Sequence, residues 1–222
     1  MRQILFIHGG NSFPTYAAYK NSLLSQEIQY EQLKYTQKWR EWIAQQMPTC
    51  DVLLPTMPNG FNAQYDEWKI YFEKLLPFLK NDVTIIGHSL GAMFLAKYFE
   101  EASFTKKIHR IILIAGRYGG YEGENGSFNV VSAARLPENA QEVHLFHSED
   151  DPVVPFAPAL AAFDSESLCA LGFCRAHGGF RPPARPRGRG THPHPDPDRD
   201  GSRSTCGGTS SPSTTRSRRA RG

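Results

Sequence analysis

Short apolar runs separated by amphipathic stretches set the rhythm of the first two thirds of the chain. Runs at residues 4–7, 52–54, 83–86, 111–115 and 143–147 predict five strands. Most are continuously apolar rather than alternating, which is the pattern of strands covered on both faces of a parallel sheet. Between them, Phe61, Tyr65, Trp68, Phe72, Leu75 and Leu79 recur at spacings of three and four, so a helix is expected over 61–76, ended or kinked by Pro77. Trp39, Trp42, Ile43 and Met47 predict a second helix over 37–47. Both aromatic stripes read as core packing. The glycine-rich, polar stretch 118–130 reads as a loop after the fourth strand.

Strands alternating with helices imply an open, doubly wound, mainly parallel α/β sheet. Such sheets bind ligands beyond the carboxyl ends of their strands. Four polar clusters fall at those ends: residues 8–11, 57–59, Ser89 and 149–151.

The pattern stops near Phe163. Residues 1–163 carry 14 basic and 17 acidic residues, a net of −3, whereas 164–222 carry 11 and 5, a net of +6; the overall charge of +3 hides this split. The second segment has no Lys, Ile, Val, Met, Tyr, Trp, Asn or Gln, and all its cations are Arg. We therefore expect one folded domain over 1–163 and an Arg/Pro/Gly/Ser-rich, disordered tail over 164–222. Translation of GC-rich DNA in a shifted frame near Phe163 would produce this bias, replacing the authentic end. Arginines in 182–189 and 216–221 offer phosphate contacts, but Phe180 alone cannot supply base stacking. Nucleic acid is thus a partner only through the tail, and a solvated tail is the preferred reading.

Cys50, Cys169, Cys174 and Cys206 have neither metal-ligand spacing nor a secreted disulfide framework. The first residues read as a strand rather than a signal peptide, and no apolar run approaches the ~20 residues of a membrane span. The expectation is a cytoplasmic protein with no membrane partner.

The candidate chemistry centres on Val-Thr-Ile-Ile-Gly-His-Ser-Leu-Gly at 83–91. A β-branched run, Gly-x-Ser-x-Gly and a helical pattern in succession form a nucleophile elbow, with Ser89 on the tight turn. A serine needs a base, usually a histidine oriented by a carboxylate, and donors for the oxyanion. Chain order in elbow enzymes is Ser, acid, His. Asp151, before Pro-Val-Val-Pro, is the preferred acid and Asp150 the alternative. Oxyanion donors are expected from Leu90 and from the loop bearing Gly9 and Gly10, where a phosphate-loop reading fails for want of Gly-Lys-Ser/Thr. His8 is equally a structural or a ligand-facing residue, and His88 supports the turn. His109 starts a strand at the wrong end, while His144 and His147 share the acid's own strand.

Ile-Leu-Phe-Ile-His-Gly-Gly at 4–10, Met57 and Pro58, Ile-Ile-Gly-His-Ser at 85–89, Gly-Glu-Asn at 123–125 and Asp-Asp-Pro at 150–152 resemble the retinoblastoma-binding protein 9-like serine hydrolases of the α/β-hydrolase superfamily. The likeness spans roughly residues 3–156. It implies a compact, capless hydrolase of small esters or amides, with Ser89 as nucleophile, Asp151 as acid and no metal or organic cofactor. It also implies a base on a Gly-His-Phe-like turn after one more strand. His177, in Ala-His-Gly-Gly-Phe 26 residues past Asp151, is the match, but no β-branched strand precedes it. His192 and His194 lie among prolines. The sheet is therefore expected to lack its last strand and helix. The alternative to an active hydrolase is a catalytically impaired, hydrolase-fold binding protein whose triad histidine is missing or displaced.

Overall fold

All five apolar runs are strands: β1 (Arg2–Ile7), β2 (Cys50–Leu53), β3 (Val83–His88), β4 (Ile108–Ile114) and β5 (Ala140–Ser148). The helices are α1 (Tyr16–Ser25), α2 (Trp39–Gln46), α3 (Tyr65–Leu75), α4 (Leu90–Glu101) and the single turn α5 (Leu136–Asn139). The computed structural model describes residues 1–119, 125–154, Phe163 and the backbone of 170–174. His177, His192 and His194 lie outside the described residues. Among these residues no helix is long and apolar enough to cross a membrane.

The sheet does not end at β5. A sixth strand, β6 (Ala170–Cys174), runs parallel to β5, with Ala170 opposite His144 and Cys174 opposite Ser148. This corrects the expectation of a missing last strand, and β6 falls inside the stretch that composition assigned to the tail. Ala-Leu-Gly-Phe-Cys has no β-branched residue, so propensity gave no signal. The edge of β5, however, presents backbone donors and acceptors that any extended segment can satisfy.

The strand order is β2-β1-β3-β4-β5-β6, parallel throughout. From β1 the chain steps outward to β2, then crosses back to β3 and proceeds the other way. The order therefore reverses between β1 and β3, which is where open α/β sheets bind ligands.

Helix α4 buries nine of its twelve residues, so it is apolar nearly all round. Phe94 and Tyr98 from α4 meet Trp68 and Phe72 from α3, with ring centroids 4.8–5.7 Å apart. The loop after β4 also enters this core. Phe128 is fully buried, 5.1 Å from Trp68, and the Ser127 hydroxyl accepts from the Tyr65 N–H at the start of α3. Phe163 packs edge-on against buried Tyr118, carrying the core to the point where the composition changes.

Candidate active site

The register between β1 and β3 pairs Ile7 with Gly87. Each chain then leaves the sheet at the same end, so His8, Gly9 and Gly10 emerge beside His88 and Ser89. Ser89 takes φ 52° and ψ −120°, and its N–H still bonds the Ile114 carbonyl at 2.8 Å. Its own carbonyl accepts from Ala92 and Met93 as the first acceptor of α4. A non-glycine residue at positive φ is strained, and such strain concentrates at functional positions.

The elbow closes because its glycines leave room. A Cβ on Gly87 would lie 2.6 Å from the Gly91 carbonyl oxygen, and one on Gly91 would collide with the carbonyls of Ile7 and His8. Both obstacles are backbone and cannot swing aside. Gly91→Ala is therefore expected to destabilise the protein by about 1–3 kcal/mol through overpacking. Chemical denaturation measures this, and a change below about 0.5 kcal/mol would contradict the packing described.

Leu90 opens α4, and the first N–H groups of a helix have no intrahelical acceptor. Its N–H lies at the positive end of the α4 dipole. Opposite, a Cβ on Gly9 would stand 3.0 Å from the Ser89 Cβ, which measures how closely the β1 loop approaches the serine. The Asn11 N–H is committed to the Gly60 carbonyl at 2.9 Å, anchoring that loop.

The acidic turn follows β5 at the same end of the sheet. One Asp151 carboxylate oxygen accepts from the N–H groups of Val153 and Val154 at 2.8 and 2.9 Å. His147 Nε2 bonds the Val154 carbonyl at 2.9 Å, tying the turn back to the strand. Asp150, by contrast, is exposed and accepts from the Ser148 hydroxyl. A small cleft of about 200 Å³ is lined by Ser89, Leu90, Arg117, Asn125, Val153 and Val154, among others.

The histidines sort by their partners. His8 Nε2 accepts from the Met57 N–H at 2.8 Å while Nδ1 faces the Gly9 carbonyl. Only the neutral Nδ1–H tautomer satisfies both. Burial lowers its pKa, the Gly9 carbonyl opposes this, and Arg40 and Lys38 reinforce it. His88 is likewise held low by burial, against the raising field of Asp151, and its ring stands 5.1 Å from Trp39. His109 contacts Gln141 and His144 contacts Glu142, both on β5 or its neighbour and away from Ser89.

A histidine whose folded pKa is depressed makes the unfolded state the better proton acceptor below its ordinary value near 6.5. His8 and His88 thus both cost stability as pH falls through 6.5 towards their folded values. The thermal midpoint is expected to be lower at about pH 5.5 than at about pH 7.5, and His8→Gln should shrink that difference. An unchanged pH dependence in His8→Gln would remove His8 from the account.

The larger cleft was not foreseen. It encloses about 590 Å³ and is lined by Phe6, Trp39, Met57 and Phe61, by Lys38 and Arg40, and by His8, Gly9, Gly10, His88 and Ser89. Reading both aromatic stripes as core holds for α3, where Trp68 and Phe72 are fully buried, but not for α2, which has no buried residue. Trp39 is 38 % exposed and faces Phe6 and His88; Phe61 is 75 % exposed and precedes α3 rather than belonging to it. Helical periodicity identifies which residues share a face, not what that face meets.

The sequence matches the serine hydrolase family over residues 32–169. It is 24 % identical over 133 residues to the protein YdeN of Bacillus subtilis (strain 168), covering 55 % of this chain and 67 % of YdeN. The crystal structure of YdeN from B. subtilis superposes with a TM-score of 0.56 at 19 % identity, over 80 % of this chain and 87 % of that one. A YdeN-like protein from Pectobacterium atrosepticum SCRI1043 gives 0.51 at 15 % identity, over 79 % and 77 %. At these identities the structures speak to the fold alone.

Proposed function

The chain belongs to the serine hydrolase family, and on that premise we propose that it cleaves a small ester or amide through an acyl-enzyme on Ser89. The observation that carries the reading is the strained Ser89, held at positive φ where two clefts meet. One cleft suits the acyl or leaving group, and the other borders the turn that carries Asp151.

In this mechanism the Ser89 Oγ forms a bond to the substrate carbonyl carbon and gives its proton to a histidine. The tetrahedral oxyanion receives N–H bonds from Leu90 and from the Gly9 and Gly10 loop. Collapse breaks the bond to the alcohol or amine, which leaves with the proton from the histidine. Water then repeats the sequence and releases the acid. Asp151 orients the base and stabilises its charged form. The N–H groups of Val153 and Val154 hold one oxygen of that carboxylate in place.

His177 is the proposed base. β6 ends at Cys174 opposite Ser148, at the end of the sheet that carries Ser89 and Asp151. His177 follows three residues later, and three residues span at most about 11 Å. The strand that this histidine lacked in the sequence reading is thus supplied by Ala170–Cys174. A fluorophosphonate probe tests the assignment. It is expected to label the chain, and His177→Ala should slow labelling by about 10²-fold or more. Undiminished labelling in His177→Ala would remove it as base, and a folded chain that resists the probe would support an impaired, ligand-binding role.

A further inference from the structure

Lys38 and Arg40 both line the large cleft. Lys38 caps α2 and Arg40 is its second residue, so both cations sit at the positive end of a helix dipole, where cations are disfavoured. Glu41, the acidic residue of that turn, folds back on the Lys38 backbone N–H instead of projecting into the cleft. Among the described residues, the cleft lining includes no carboxylate. The Arg40 Nη1 is buried and, among the described residues, has no hydrogen-bond partner. A buried guanidinium nitrogen without an acceptor is costly, and departures of this kind cluster at functional positions.

The remaining walls are apolar: Phe6, Trp39, Met57 and Phe61. Trp39 lies between the two cations in sequence, and its ring stands 5.1 Å from that of His88, the residue before the nucleophile. Both cations also act on His8, which borders the same cavity.

We propose that the large cleft selects substrates whose acyl chain ends in a carboxylate, with the methylenes against the aromatic walls and the carboxylate on Arg40 and Lys38. This rests on the assignment of Ser89 as nucleophile. Arg40 supplies the planar fork that matches a carboxylate, and Lys38 adds a second charge. The carboxylate neutralises the paired charge of Lys38 and Arg40 at the α2 terminus.

Two 4-nitrophenyl esters of equal chain length test this: the heptanoate and the hydrogen pimelate. The full chain is expected to favour the pimelate in kcat/KM by about ten-fold to a hundred-fold at low ionic strength, the worth of a charge-assisted contact. Arg40→Met should collapse the ratio towards one, Lys38→Met should lower it, and Arg40→Lys should fall between. A ratio near one in the native chain, or one retained in the Arg40→Met, Lys38→Met double variant, overturns the proposal.

Binding keeps the test independent of turnover. With Ser89→Ala, tryptophan fluorescence should report tighter binding of monomethyl pimelate than of methyl heptanoate, and the difference should vanish with Arg40→Met. Equal binding overturns the anionic-substrate proposal. Preferential binding without turnover of either ester in the native chain upholds this site and rejects the hydrolytic role of Ser89. Turnover of both esters at equal rates does the reverse.

Discussion

Ser89→Ala is expected to reduce turnover of an activated ester by on the order of 10⁴-fold or more, and to abolish fluorophosphonate labelling. The size follows from the chemistry: with no hydroxyl there is no acyl-enzyme, and only binding and oxyanion stabilisation remain. Labelling that persists in Ser89→Ala would place the nucleophile elsewhere. The backbone adds a second expectation. Ser89 at φ 52° and ψ −120° lies in a region that costs a non-glycine residue about 1–3 kcal/mol, and glycine adopts it freely. Ser89→Gly should therefore be inactive yet more stable than the native chain, by about 1 kcal/mol after the entropy that glycine adds to the unfolded state. Denaturation of Ser89→Ala, which keeps the strain, is the control. Equal stability of the two variants would show that the elbow is not strained in solution.

Trp68→Ala should have the largest effect on stability. The ring is fully buried and contacts Phe94 and Phe128 edge-on at 5.7 and 5.1 Å. Truncating such a side chain costs about 3–5 kcal/mol, a large part of the 5–15 kcal/mol that holds a typical domain together. The loss reaches the site as well. Trp68 Nε1–H donates to the Pro58 carbonyl at 2.7 Å, and the neighbouring Met57 N–H donates to His8 at 2.8 Å. Trp68→Phe keeps part of the packing while removing the donor, so it should cost less, about 1–3 kcal/mol. Urea denaturation with parallel probe labelling separates the two contributions. A Trp68→Ala cost no greater than that of Trp68→Phe would mean that the hydrogen bond, not the packing, is what Trp68 supplies.

The legible part of this protein was the part encoded locally. Apolar runs at 4–7, 83–86 and 111–115 are strands because continuous burial on two faces demands them, and Gly87, Ser89 and Gly91 announce the elbow because few other residues can make that turn. Trp68 and Phe72 were recognisable as core from their spacing. The same spacing misled at Trp39, since a stripe on a helix is identical whether it meets a sheet or a cleft. β6 was illegible for a different reason: its pairing comes from the open edge of β5, and the residues of Ala170–Cys174 carry little preference of their own.

By itself, then, the sequence determined the fold class, the elbow at Ser89 as candidate nucleophile and the candidate acid, all of which depend on short-range pattern and steric need. The tertiary structure decided which loops meet at the β1–β3 reversal, the pairing of β6, the neutral tautomer of His8 and the presence of Lys38 and Arg40 beside an apolar cleft. These depend on register, and on contacts such as Met57 with His8, 49 positions apart. Distances of that kind arise only when the strands are laid side by side.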